Sequence, residues 1–306
     1  MGRIIIMRYV DRYLRLSIWP DGSETPLTFG VDWKITFRVR KNAASDFLSF
    51  NQAEISVYNM APAVREKLSR EGKKVSLVAG YKSHNGSIFE GVLNNCTITK
   101  QGTDITTTFY CSSGSSGFDK GVEACLQNVS VTDFLRQILD KNGLQYILPF
   151  TRKDIISKSY SGTLGEVLAI ICGEYNISCG IDNGVLIFAD NTKTAGQVSE
   201  AETMTFTPNT GLLGNPTQTF QGMNIRALIN PDMKINNYFT LYAPYADYNL
   251  GDLSVNPELV LGNKNNIPAR IDTTTYNGTY MALSIVITGD TRGNAWYMDI
   301  EGSSIV

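Results

Sequence analysis

Hydrophobic and polar residues alternate along much of this chain, most clearly in GVDWKITFRVRK. Val31, Trp33, Ile35, Phe37 and Val39 fall on one side, and Asp32, Lys34, Thr36, Arg38 and Arg40 on the other. A period of two over that length predicts one long strand with a buried face and an exposed face. Lys34, Arg38 and Arg40 make the exposed face basic, which suits either plain solvation or a contact with another subunit. Tyr13 to Trp19 alternates in the same way, with Leu14, Leu16 and Ile18 against Arg15 and Ser17, and PDGSETP breaks the run. Asn42 to Ser49 reads as a loop.

The stretch from Ala53 to Cys111 predicts strand, short helix, then three strands. Ala53 to Tyr58 is apolar and β-branched. Asn59 is placed to cap a helix, since its side-chain oxygen can accept from a free first-turn amide. Pro62 sits in that first turn, where a missing N–H costs little. Val64 and Leu68 repeat at i, i+4, Arg65, Lys67 and Arg70 face water, and Gly72 supplies the stop. Val75 to Tyr81, Ser87 to Lys100 and Asp104 to Cys111 follow as strands, separated by the turn sequences SHNGS and QGT. The pattern predicts a small β-barrel or sandwich carrying one helix.

The Ser/Gly-rich run CSSGSSGFDKG ends this pattern and reads as a linker over 112–121. A different regime covers 122–190. Val131, Phe134, Leu135, Ile138 and Leu139 have helical spacing, with Ser130 as cap and Gly143 as stop. Leu144 to Leu148 predicts a strand, Leu164 to Tyr175 a second helix, and Ile177 to Ala189 a hairpin around Asp182-Asn183-Gly184, whose Asn-Gly favours a type I′ turn. This is a small α+β domain with no chemically loaded motif. Residues 191–203 are polar and read as a second linker.

In 204–306 the strand order of the first domain returns. Asn237 to Ala243 matches Lys74 to Gly80, Tyr280 to Gly289 matches Phe89 to Ile98, and Ala295 to Gly302 matches Asp104 to Cys111. Order and spacing agree over three strands, which predicts an internal duplication. The second copy lacks the short helix and carries an insertion at 244–277. That insertion is too long for a plain connection, and the four tyrosines from Tyr242 to Tyr276 argue for contact with a neighbour.

Composition narrows the function classes. The hydrophobic content of 42%, charged content of 18% and net charge of −2 belong to a folded chain without a strongly basic surface. The charge is uneven: residues 1–111 hold 15 Lys+Arg against 10 Asp+Glu, residues 112–203 hold 7 against 11, and residues 204–306 hold 5 against 8. That split suggests a first domain docking on the last domain of another copy. IIIM near the start is far too short to span a membrane, so no stable insertion is expected. The five cysteines have no metal-like spacing and read as reduced core residues of a chain made in a reducing cytoplasm.

Candidate chemistry is sparse. The single histidine, His84, is expected at a solvated hairpin turn, where it cannot serve a nucleophile. Glu90, Glu166 and Glu174 read as surface carboxylates. Neither GxGxxG after a strand nor GxxxxGK[ST] occurs, so no cofactor is expected. Asp290-Thr291-Arg292-Gly293 reads as a tight turn or a weak anion loop.

Several stretches together resemble a baseplate hub protein of a tailed bacteriophage. They are NMAP before the helix, KKVSLVAGY, IFEGVLNNCTIT and TDITTTFYCSSG in the first domain. In the last they are TGLLGNPTQTFQGMNIRALINPDMKINNYFTL and SIVITGDTRGNAWYMDIEG. The family pattern has a histidine where this chain has Thr288. The resemblance implies a mainly β protein with two tail-tube-like barrel or sandwich domains, 1–111 and 204–306, flanking the small α+β domain. It implies a homotrimeric, non-enzymatic hub whose six similar modules join the tail tube to a spike or tail tip. Other baseplate proteins and the tape measure are further partners, and DNA passes through without specific binding. Lys34, Arg38, Arg40, Tyr245, Tyr248 and Arg292 are the candidate subunit or tube contacts. A hub-associated cell-wall hydrolase and a nucleic-acid-contacting tail component are the alternatives.

Overall fold

The computed structural model describes residues 11–20, 22–43, 50–69, 74–113, 118–125, 128–199, 203–219, 222–248 and 276–305. The first β unit contains β1 (Arg12–Ile18), β2 (Leu27–Gly30), β3 (Ile35–Asn42), β4 (Gln52–Tyr58), helix α1 (Pro62–Leu68), β5 (Lys74–Tyr81), β6 (His84–Gln101) and β7 (Asp104–Ser112). Its strands lie in the order β3-β4-β7-β6-β5-β1-β2, all antiparallel. The long strand β6 serves two layers. Its first half pairs with β5 and its outer half, from Val92 on, pairs with β7. The unit is therefore an open two-layer sandwich turned at β6.

The middle unit contains β8 (Gly121–Cys125), β9 (Val129–Ser130), α2 (Val131–Lys141), β10 (Gln145–Ile147), β11 (Ile155–Ile156), β12 (Ser159–Thr163), α3 (Leu164–Glu174), β13 (Ile177–Asp182), β14 (Val185–Asp190) and a 3₁₀ turn (Ala195–Gln197). The Ser130 hydroxyl caps α2, and Thr163 with Glu166 forms a capping box on α3. Asn183 and Gly184 both have positive φ, as the expected type I′ turn requires. Apolar faces of both helices pack with Ile177, Ile181 and Phe188 into a core separate from that of the β units. The short pairs β8–β12 and β9–β11 were not legible in the sequence.

The second β unit contains β15 (Thr203–Phe206), β16 (Leu212–Gln218), β17 (Gly222–Leu228), β18 (Tyr238–Leu241), β19 (Asp247–Tyr248), β20 (Gly278–Asp290) and β21 (Trp296–Ser304). Its order, β16-β17-β21-β20-β18-β15, repeats β3-β4-β7-β6-β5-β1 strand for strand. The repeat extends to an irregularity. β6 skips one residue, Asn94, opposite Cys111 and Tyr110, and β20 skips Leu283 opposite Gly302 and Glu301. One difference is that β15 runs parallel to β18, whereas β1 runs antiparallel to β5.

These registers correct the expected alignment. Through β7 and β21, Ile98 corresponds to Ile287, a two-residue slip that leaves every side chain on its expected face. The turn before β21 is two residues longer in the second unit, and this absorbs the slip. Lys74 corresponds to Tyr238, a one-residue slip, since Val75 and Phe239 are the buried pair.

Four local expectations also change. The first long strand begins at Ile35, because residues 31–34 turn after β2 and the Trp33 amide donates to the Gly30 carbonyl. Trp33 is thereby left partly exposed, edge-on to Phe29. Helix α1 is capped at Ala61 without a side-chain bond. Asn59 instead has a positive φ, accepts from the Ile105 amide and donates to Asp104. His84 lies inside β6 rather than in the turn, which is Lys82–Ser83. The predicted stop Gly72 and most of the 244–277 insertion lie outside the described residues.

Candidate assembly surface

The two β units are joined edge to edge. Residues Ser284 to Asp290 of β20 pair antiparallel with Thr36 to Asn42 of β3, so eight strands run β16-β17-β21-β20-β3-β4-β7-β6 in one continuous sheet. Period two gives that sheet a core face and an outward face. Ile35, Phe37, Val39, Ile55, Ile285, Ile287, Met298 and Ile300 share a single hydrophobic cluster that spans both units.

The outward face forms cross-strand rows. One runs Leu228, Tyr297, Thr288, Arg38, Glu54, Tyr110 and Asn95; the next runs Arg226, Asp299, Val286, Arg40, Gln52 and Ser112. Arg226 forms a bidentate pair with Asp299, at 2.7 and 3.2 Å, over the Tyr297 ring. The cations Arg38, Arg40 and Arg226 are matched on this face by Glu54, Asp299 and Glu301. The face is polar and electrically balanced.

The seam is locked by the loop between β20 and β21. Arg12 donates to the carbonyls of Asp290 (2.7 Å) and Gly293 (2.5 Å). Thr291 exchanges bonds with Ile35: its amide donates to the Ile35 carbonyl, and its hydroxyl accepts from the Ile35 amide. Arg292 donates to the Asp32 carbonyl at 2.6 Å. Trp296 is buried under this loop, edge-on to Phe37, and its indole N–H donates to the Gly80 carbonyl at 3.1 Å. Gly289 is required here, because a Cβ would lie 2.2 Å from the Phe37 ring. The Asp-Thr-Arg-Gly turn is thus an intramolecular clamp, which replaces the weak anion-loop reading. His84 belongs to a second bridge: Nε2 lies 3.0 Å from Asp232 and 3.1 Å from Asn230 of the other unit. The expectation of a solvated histidine is corrected, since that side chain is only one-fifth exposed.

The middle unit is wedged against both β units by its β13–β14 hairpin. Lys41 Nζ meets Asp182 Oδ1 at 2.5 Å, with both side chains fully buried. Burial holds the Lys41 pKa below its ordinary value, and Asp182 opposes that shift. Asn51 donates to the Ile181 carbonyl, Asn183 to Ser87, and Asn236 to the Ile187 carbonyl. The expectation that nothing in this unit is loaded missed the pair. A signal existed: Lys41 shares the parity of Ile35, Phe37 and Val39, the buried side. Inside the unit, Arg152 reaches Asp190 (2.9 Å), Asp154 (2.8 Å) and the Tyr175 carbonyl.

The six candidate contacts do not converge on one spot. Lys34 lies just before β3, 4.0 Å from the Tyr58 ring centroid, and Arg292 lies in the clamp loop. Arg38 and Arg40 stand mid-sheet on the outward face, in a shallow concavity with Gln52, Glu54, Asn94 and Tyr110. Tyr245 is exposed just before β19, and Tyr248 falls in β19 on the β16 edge. Among the described cysteines Cys111, Cys172 and Cys179 are buried, and burial pushes the Cys111 and Cys172 thiols up to about 12. Among the described residues no His/Cys/Asp/Glu group could hold a metal, and no helix is long and apolar enough to cross a membrane.

A family model described as baseplate hub gp41 matches residues 27–245. The chain belongs to the baseplate hub gp41 family. The resemblance read from the sequence therefore holds, and this hub chain is a structural component of a phage tail baseplate, placed in the virion. No curated protein sequence matches it. Two solved structures share its fold over nearly the whole length. The 43 kDa tail protein of prophage MuSo2 from Shewanella oneidensis aligns with TM-score 0.57 at 10% identity, covering 95% of this chain and 98% of the other. A tail protein from Neisseria meningitidis MC58 aligns with TM-score 0.56 at 6% identity, covering 95% and 96%. At such identities the likeness concerns the mainly β fold.

Proposed function

We propose that the chain is a homotrimeric hub. Three copies close a ring of six similar β modules that joins a sixfold tail tube to a threefold spike or tail tip. The observation that carries this reading is the duplication: the same four-strand half-sheet occurs twice in one chain and is already joined edge to edge. Repeating one module within a chain is a physical solution to a threefold-to-sixfold mismatch, and unlike ends joined head to tail close into a cyclic assembly. The outward face of the eight-strand sheet becomes the channel wall. Its matched charges suit the passage of DNA without binding, whereas a nucleic-acid-binding wall would be basic.

In this reading the unit boundaries are 1–111, 122–190 and 204–306. Arg38 and Arg40 belong to the wall, Lys34 and Arg292 to its rim, and Tyr245 and Tyr248 to a contact beside β16. The 244–277 insertion meets a neighbouring tube, spike or other baseplate protein. The ring assembles in the host cytoplasm, and its task is architectural rather than enzymatic. The test is the native mass of the purified chain, alone and with tube subunits. Three chain masses, increasing on addition of tube protein, are expected; one chain mass under both conditions overturns the proposal.

A further inference from the structure

We infer that the outer half of β6 is one side of a seam between two copies of this chain. The other side is the β16 edge of the second copy, in the register that β20 takes on β3. The inference rests on the ring reading and adds which strands meet, in which register, and what must move.

Equivalent positions in the two units have different surroundings. In the second unit the outer half of β20 lies between β21 and β3, and Ile285 and Ile287 are sealed. In the first unit the same positions are Cys96 and Ile98. Among the described residues, β6 from Leu93 to Gln101 pairs with β7 alone. Cys96 is half-buried and Ile98 is 55% exposed. The Cys96 amide donates instead to a local acceptor, the side-chain oxygen of Asn95. A long edge carrying Thr97, Ile98 and Thr99 is a template for another strand. β6 already has the bend of β20, since both skip one residue at the same place.

The occupant follows from the chain's own seam. β3 is the edge of the first half-sheet, beside β4, and β16 is the edge of the second, beside β17. The intramolecular seam joins a β6-type edge, that of β20, to β3. At the two ends of the eight-strand sheet, among the described residues, stand a β6-type edge paired on one side alone and a β3-type edge covered only by the two residues of β19. Two such unlike ends on one rigid sheet complement each other between copies, not within one.

The register can be stated. Thr288 faces Arg38 in the existing seam. Thr99 corresponds to Thr288, and Thr217 corresponds to Arg38, because Thr217 faces Asn224 as Arg38 faces Glu54. Thr99 of one copy therefore faces Thr217 of the next, and Ile98 faces Gln218. Those two β16 positions are occupied by β19, which pairs there in parallel through Asp247 and Tyr248. A two-residue strand is a weak competitor for a nine-residue edge. β19 thus guards the β16 edge and yields it when the seam forms.

The test places cysteines at the predicted pair, Thr99→Cys with Thr217→Cys, in a Cys96→Ser background of the full chain. Facing residues of antiparallel strands lie close enough for a bond, whereas a two-residue shift separates them by about 7 Å. After mild oxidation we expect covalent dimers and trimers on a non-reducing gel. The Thr97→Cys with Thr217→Cys control should remain single-chain. Bonding in the control alone overturns the register. No bonding in either, with the native mass still three chains, overturns the seam and leaves the ring reading standing. A native mass of one chain removes the ring reading itself. Bonding of the Thr99 cysteine to a different tail protein overturns the second copy as occupant.

Discussion

The outer halves of β20 and β6 hold the same place in two copies of one module, yet among the described residues one is sealed and the other is paired on one side alone. Both are bent by the same skipped residue, both pair on one side with the following strand, and both carry apolar side chains on the core-facing parity. Ile287 is 1% exposed because β3 lies beside it, whereas among the described residues Ile98 has no strand on that side. Strand formation is thus local, while burial is decided by the neighbour. In the proposed ring, the open side of Ile98 is where a second copy would complete the core.

The largest way to break this comparison is to open the covered seam. Trp296→Ala removes a buried indole that touches Phe37 and hydrogen-bonds to Gly80, and Arg12 lies 5.3 Å from its ring centroid. A loss of about 3–5 kcal/mol is expected in denaturant unfolding, the range for a large aromatic cut to alanine in a core. Asp182→Asn strikes the wedge behind the same seam by leaving Lys41 buried without its carboxylate, at a cost of about 3–5 kcal/mol. Replacing both residues, Lys41→Met with Asp182→Leu, should be nearly neutral, because an apolar pair needs no compensation. The pH dependence has a definite sign. The folded chain holds the Lys41 proton less tightly than the unfolded chain does, so this group opposes folding most at low pH. Its penalty lessens as pH rises from the lowered folded value towards the ordinary 10.5. Along that rise the wild type should gain stability relative to the double variant, which lacks the group; a difference that stays constant with pH contradicts the assignment.

Much of this arrangement could be read from the sequence, and the omissions share a cause. Alternation revealed β3, β5, β6 and β7, and helical spacing with caps revealed α2 and α3, because those signals are local. The duplication was visible in strand order. Its register was not, since a slip of two residues preserves every face, and only pairing across the sheet fixes it. Asn59 was assigned to the helix it precedes, whereas its side chain serves the β6–β7 turn 45 residues away. His84 was misread and Lys41 passed over for the same reason: their partners, Asp232 and Asp182, lie 148 and 141 residues further along the chain. The candidate surface was therefore legible as a basic strand face, but its balancing carboxylates and the clamp at Arg12 needed the fold.

The sharpest form of the comparison uses one substitution at two equivalent positions. Ile287→Ala removes a side chain packed against β3, and unfolding should become easier by about 2–5 kcal/mol. Ile98→Ala removes the same atoms from a position open to water in the single chain, so the unfolding midpoint of dilute protein should move by less than about 0.5 kcal/mol. If the β6 edge is closed by another copy, Ile98→Ala should instead raise the protein concentration at which native mass falls from three chains to one. Equal unfolding losses at the two positions would mean that Ile98 is already covered within the chain. A silent Ile98→Ala in both measurements would mean that the bare edge stays bare, and the likeness of β6 to β20 would then be one of descent without a shared task.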